Sequence, residues 1–182
     1  IDSLLNDIIR QDIQKRFKIK YIDTLEHLTN HLLNEAPAII VKETLQSLFN
    51  FNSSHTLGNY LSYLEQTYLV STMSKYSAKS RLRIRNAKYY AIDVALMNQR
   101  KDAFSGDSLG FRLETIVYLE LRRRAKHAKQ DVYYYSNQRS ECDFVLCDGN
   151  QTLAAYQVSY DISNPKTYNR EIKGCVTGAT GT

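Results

Sequence analysis

Glu141-Cys142-Asp143-Phe144-Val145-Leu146-Cys147 is followed by the turn Asp148-Gly149-Asn150 and then by Leu153-Ala154-Ala155-Tyr156-Gln157-Val158-Ser159. Two apolar, β-forming runs around a Gly-containing turn spell a hairpin, with strands over Cys142 to Cys147 and Leu153 to Val158. Side chains alternate along a strand, so Glu141 and Asp143 share a face, and Gln157 and Ser159 share one on the neighbouring strand. By the same alternation Cys142 and Cys147 project to opposite faces. With Cys175 they read as reduced thiols without metal-ligand spacing.

Upstream, Val132 to Tyr135 supplies a third strand, its Tyr133-Tyr134-Tyr135 run read as cross-strand packing rather than base stacking. Leu109 to His127 supplies a long helix with Leu113, Ile116, Val117 and Leu121 expected against the sheet. Glu114 stands at the edge of that stripe. Glu120 shares the face of Leu113 and Ile116, so periodicity leaves both carboxylates open. A helix carboxylate, Asp143 and Gln157 could together gather oxygen ligands around one Mg²⁺, which takes one or two carboxylates plus water and substrate phosphate. The plain alternative is that these groups are solvated or paired within the protein.

Charge is unevenly spread along the 182 residues, whose net charge is +5. Residues 1 to 70 carry six Lys/Arg against eight Asp/Glu, while 71 to 101 carry eight against one. The excess lies at Lys75, Lys79, Arg81, Arg83, Arg85, Lys88, Arg100 and Lys101, a concentration suited to phosphate. A second basic run, Arg122-Arg123-Arg124-Ala125-Lys126, ends the long helix, where the macrodipole alone would favour cations. No apolar run approaches the roughly 20 residues of a membrane span and no leader is evident, so a cytoplasmic protein is expected. The chain opens on Ile1 and reads as a fragment of a longer one.

Residues 1–23 alternate apolar and charged positions at helical spacing (Leu4, Leu5, Ile8, Ile9, Ile13) and are too few for a domain. Residues 24–104 read as three helices and a hairpin. Leu25, Leu28, Leu32 and Leu33 mark the first helix, stopped near Pro37, and Leu45, Leu48 and Phe49 mark the second. Ser53 or Ser54 caps the third, which buries Leu57, Tyr60, Leu61 and Leu64. Tyr68 to Met73 and Lys88 to Asp93 form the hairpin. That order describes a winged helix. His55, Asn59 and Ser62 on the open face of the third helix would meet base edges or phosphates, and Lys79, Arg81, Arg83, Arg85 and Lys88 would clamp the backbone. Residues 105–173 form the helix-plus-sheet domain, and Gly/Thr-rich 174–182 reads as a disordered tail. The expected class is α+β or α/β.

Arg10-Gln11-Asp12-Ile13, Tyr60-Leu61-Ser62-Tyr63-Leu64-Glu65, Lys88-Tyr89-Tyr90-Ala91-Ile92-Asp93, Leu113-Glu114, Tyr133-Tyr134-Tyr135, Glu141-Cys142-Asp143-Phe144-Val145, Gln157-Val158-Ser159-Tyr160 and Arg170-Glu171 occur in that order. This series resembles the C-terminal part of a prokaryotic group of AAA+-like P-loop ATPases, over nearly the whole chain. The resemblance implies that an ATPase module precedes a winged-helix segment and a restriction-endonuclease-like domain, and that residues 1–23 are the tail of the ATPase lid. ATP and Mg²⁺ would then belong to the upstream module. The 182 residues contain no Gly-x-x-x-x-Gly-Lys-Ser/Thr loop, so no cofactor is expected here beyond a Mg²⁺ that Glu114 and Asp143 could bind.

The resemblance places Asp143 first in the nuclease motif, Gln157 second, Ser159 at its lysine and Glu114 on its helix. Gln157 lacks the carboxylate charge and Ser159 the cation that the chemistry uses, so a degenerate site is expected. The expected role is a non-catalytic, DNA-binding and regulatory module whose partners are DNA and its own ATPase domain, with homo-oligomerisation left open. A weak Mg²⁺-dependent nuclease and a protein-interaction or oligomerisation module are the alternatives.

Overall fold

Leu25, Leu28, Thr29, Leu32 and Leu33 fall on one face of a helix, and in a computed structural model they are the buried side of α3 (Ile22–Glu35). The structure describes residues 2–77, 86–97, 106–138, 140–161, 163 and 165–180. The chain divides into two compact units, Ile1–Thr72 with Tyr89–Ala103, and Met73–Lys88 with Phe104–Thr182. The class is α+β.

In the first unit the N-terminal segment is α1 (Asp2–Asp7), a π-helical stretch over Ile8–Gln14, and α2 (Lys15–Phe17). Leu5, Ile9 and Ile13 are buried at i, i+4 and i+8, and Phe17 stacks on Tyr63 at 3.9 Å between centroids. This segment, too short to fold alone, is thereby packed within the unit. α3 ends at Glu35 because Pro37 cannot continue it, and Ala36 N–H donates to the Leu32 carbonyl as the last turn closes. A short strand not anticipated from the sequence, β1 (Ala38–Ile39), follows.

α4 (Lys42–Leu48) and α5 (Ser54–Gln66) come next. Ser53 caps α5: its Oγ accepts the His55 N–H at 3.1 Å. Leu57, Tyr60, Leu61 and Leu64 form the buried side of α5. β2 (Val70–Met73) and β3 (Lys88–Ala91) complete a sheet ordered β1-β3-β2.

The second unit holds α6 (Gly106–Ala128), β4 (Asp131–Ser136), β5 (Glu141–Asp148), β6 (Gln151–Tyr156) and α7 (Pro165–Thr180). Its antiparallel sheet is ordered β4-β5-β6. Gly149, with φ +56°, takes the left-handed backbone that the tight turn between Asp148 and Gln151 requires.

The face that α6 buries differs from the expected one. Ser108, Thr115, Tyr118 and Ala125 are buried, whereas Leu113 and Ile116 are exposed. Tyr118 stacks on Phe144 of β5 at 6.3 Å, and the Thr115 hydroxyl donates to the Phe111 carbonyl within the helix, so a polar residue lies inward at no unpaired cost.

The stretch expected as a tail is likewise helical through Thr180. Gly174 is buried on α7, and a Cβ built there would stand 1.9 Å from the Glu141 carbonyl oxygen. Absence of a side chain lets the helix approach the strand backbone, a contact that composition does not announce. Gly174→Ala is expected to lower stability by about 1–3 kcal/mol through overpacking, measurable by thermal or urea unfolding. A variant as stable as the parent would show that α7 docks otherwise. Among the described residues no helix is long and apolar enough to cross a membrane.

Candidate functional site: an ion cluster on a bulged strand

The pairing of β4 with β5 matches Tyr133 to Val145 and Tyr135 to Cys142, so Tyr134 alone faces two residues, Asp143 and Phe144. This is a β-bulge, and it re-aims side chains. Phe144 meets Tyr118 of α6, and the Asp143 carboxylate turns toward Lys88, whose ammonium also meets Glu114 of that helix. Cys142, Val145 and Cys147 instead gather with Tyr135, and Cys175 packs against that cluster. Strict alternation had put Cys142 and Cys147 on opposite faces; the extra residue between them resets the phase and brings both into one core. Burial pushes the Cys142 thiol up to about 12, helped by the neighbouring Cys175 and Asp143.

Lys88 Nζ lies 2.6 Å from Glu114 Oε1 and 3.7 Å from Asp143 Oδ1, with the three side chains only 12–14% exposed. At the end of the β5–β6 ladder, after the Phe144–Tyr156 pair, side chains take over from backbone pairing. The Asp143 N–H donates to Gln157 Oε1 at 3.1 Å, and the Val158 N–H donates to Asp143 Oδ2 at 2.9 Å. Glu114 Oε1, both Asp143 oxygens and Gln157 Oε1 therefore already face protein donors. A partly buried carboxylate pair is costly without such compensation, and a single ammonium supplies it.

Of the residues singled out from the sequence, Glu114, Asp143 and Gln157 are brought together. Ser159 is not part of the cluster's hydrogen bonding: its Oγ donates to the Asp161 carbonyl at 3.0 Å. Glu120, the carboxylate that periodicity left open, binds Arg123 and Arg124 on the surface, with three contacts of 2.7 Å. Those hydrogen bonds hold its pKa down at about 2. Glu141 is exposed and accepts from Ser136 Oγ at 3.3 Å.

Lys88 is the member that sequence reasoning assigned elsewhere, among the phosphate-contacting cations. Its ammonium is instead directed at two carboxylates, because a lysine beside the buried Tyr89, Tyr90 and Ala91 needs anionic partners. That adjacency was the available signal.

Lys79, Arg81, Arg83 and Arg85 lie outside the described residues. The chain on either side of them is described: Tyr134 N–H donates to the Ser74 carbonyl, Tyr76 N–H donates to the Tyr134 carbonyl, and the Tyr134 hydroxyl donates to the Asn86 carbonyl. Tyr134 of β4 thus holds both feet of the basic connection. Its own burial pushes its pKa up to about 12, keeping it a neutral donor. On α5, the side chains of His55 and Asn59 meet at 3.4 Å, and Gln66 Nε2 donates to Ser62 Oγ at 3.0 Å. These form an exposed polar row at i, i+4 spacing.

Comparison with known proteins gives two family matches: a domain of unknown function (DUF8612) over residues 1–106, and a domain of unknown function (DUF4143) over residues 109–175. An uncharacterized protein of Methanocaldococcus jannaschii is 33% identical over 95% of this chain and 38% of its own length. An uncharacterized protein of Haemophilus influenzae is 27% identical over 89% of this chain and 40% of its own. The chain thus spans about two fifths of the curated relatives it matches. No solved structure matches significantly.

Proposed function

We propose that this chain, which belongs to the family of the domain of unknown function DUF8612, is a DNA-binding and regulatory module carrying a nuclease-like site that does not cut. The observation that carries the reading is the closed ion cluster. A metal-dependent nuclease needs ligand oxygens open to a divalent cation, and here Lys88, Asp143 N–H and Val158 N–H face those oxygens. Gln157 adds no charge, and Ser159 is turned to its own loop.

The order α3-β1-α4-α5-β2-β3, with β3 central in its sheet, supports a winged-helix reading of residues 24–104. In that reading His55, Asn59 and Ser62 face DNA on α5 and the connection bearing Lys79, Arg81, Arg83 and Arg85 is the wing. The α6 helix against the β4-β5-β6 sheet, with Glu114 and Asp143 adjoining, supports the restriction-endonuclease-like reading of the second. The relatives are more than twice as long as the matched stretch, which leaves room for the P-loop ATPase that the resemblance implies.

The test is duplex binding by the chain as salt is raised. Affinity should fall steeply and about equally for unrelated sequences, because phosphate contacts carry it. Affinity indifferent to salt, or no binding at all, would remove the nucleic-acid role and favour a protein-interaction module.

One observation favours a second reading. Lys88 supplies in space the cation that Ser159 lacks in sequence, so the same cluster could serve a weak Mg²⁺-dependent nuclease. Cleavage dependent on both Lys88 and Asp143 would carry that reading.

A further inference from the structure

We propose that Cys142 and Cys175 are a redox-responsive pair that closes to a disulfide and staples α7 to the strand bearing Asp143. Their sulfurs are 3.8 Å apart across the β5–α7 contact, a separation that a disulfide would close to about 2.05 Å. The contact is held in place one residue away. Gly174 is pressed against the Glu141 carbonyl, so the neighbours of both cysteines are in register before any bond forms.

The two thiols also differ in access. Cys142 is 1% exposed, within reach of the Phe144 and Tyr156 carbonyls at 3.3 and 3.5 Å, whereas Cys175 is partly exposed. Cys147 lies in the same core but is buried, and among the described contacts the sulfur pair is Cys142 with Cys175. The pair therefore has an accessible thiol to meet an oxidant and a buried one to resolve it.

The oxidant is a small-molecule disulfide. Cys175 gives its proton to solvent, and its thiolate attacks one sulfur, forming a mixed disulfide and expelling a thiolate that takes up a proton. Cys142 attacks the Cys175 sulfur, and its proton passes to the departing sulfur, which leaves as the second small thiol. The protein loses two hydrogens and two electrons, and the small disulfide becomes two thiols. The closed loop spans the 33 positions from Cys142 to Cys175 and contains Asp143, β6, Gln157 and Val158. The staple constrains the unfolded chain across the region that builds the ion cluster, a gain independent of any DNA-binding role.

The test incubates the reduced chain with oxidised glutathione, then alkylates, digests without reductant and maps peptides by mass. The expected product lacks two hydrogens, joins the Cys142 and Cys175 peptides, and melts about 10 °C higher until dithiothreitol reverses it. Cys147→Ser should behave as the parent and Cys175→Ser should form no link. Glutathione persisting on Cys175, a link to Cys147, or no reaction would each overturn the proposal. Because the peptide map is read on the unaltered chain, it decides the matter even if a cysteine variant fails to fold.

Discussion

Lys88→Met is expected to lower stability by about 3 kcal/mol, with a fall in melting temperature near 10 °C. Met fills a similar volume but removes the charge facing Glu114 and Asp143. The ammonium and both carboxylates are at most 14% exposed, so solvent screens the loss poorly, and removing one partner of such a cluster typically costs about 3–5 kcal/mol. The same change with Glu114→Gln and Asp143→Asn should recover most of the loss, because no uncompensated charge remains. That non-additivity distinguishes an ion cluster from a packing defect. A Lys88→Met protein within about 0.5 kcal/mol of the parent would show that the three groups are not coupled.

The second large effect is on DNA. Replacing Arg81, Arg83 and Arg85 with Ala should reduce the slope of log affinity against log salt by about three, since each phosphate contact contributes about 0.9. If parent and variant converge near ~1 M salt, that difference amounts to a few-hundred-fold loss at about 0.1 M. Unrelated duplexes should lose affinity alike, because backbone contacts carry no sequence information. Substituting Asn59 and Ser62 should produce a smaller, more sequence-dependent change. A triple variant with the parental slope would remove the basic connection from the interface.

Elements set by local chemistry were legible in the sequence. The Leu periodicity of α3, the Ser53 cap of α5 and the Gly149 turn each follow from interactions within a few residues. What was hidden depends on long-range contact. The bulge at Asp143 and Phe144 carries no Gly or Pro to mark it; it is defined by pairing with Tyr134, and it overturned the alternation that separated Cys142 from Cys147. α7 continues past Gly174, which approaches Glu141, 33 residues earlier, whereas the composition there signals no element. The inward face of α6 was set by Tyr118 on Phe144 rather than by its most apolar stripe. Lys88 joins residues 26 and 55 positions away, so it looked like one more member of a basic stretch. Glu114, Asp143 and Gln157 could be named because motif order survives in sequence. The cation that faces two of them was read as part of a basic stretch, because it arrives from another strand.

If the ion cluster is closed, bound DNA stays whole. The direct measurement incubates the chain with supercoiled plasmid at saturating protein, with Mg²⁺ or Mn²⁺, and follows retention and strand breaks in the same samples. Retained, intact plasmid is expected for the parent and for Asp143→Ala alike. Nicking by the parent that disappears in Asp143→Ala would contradict it.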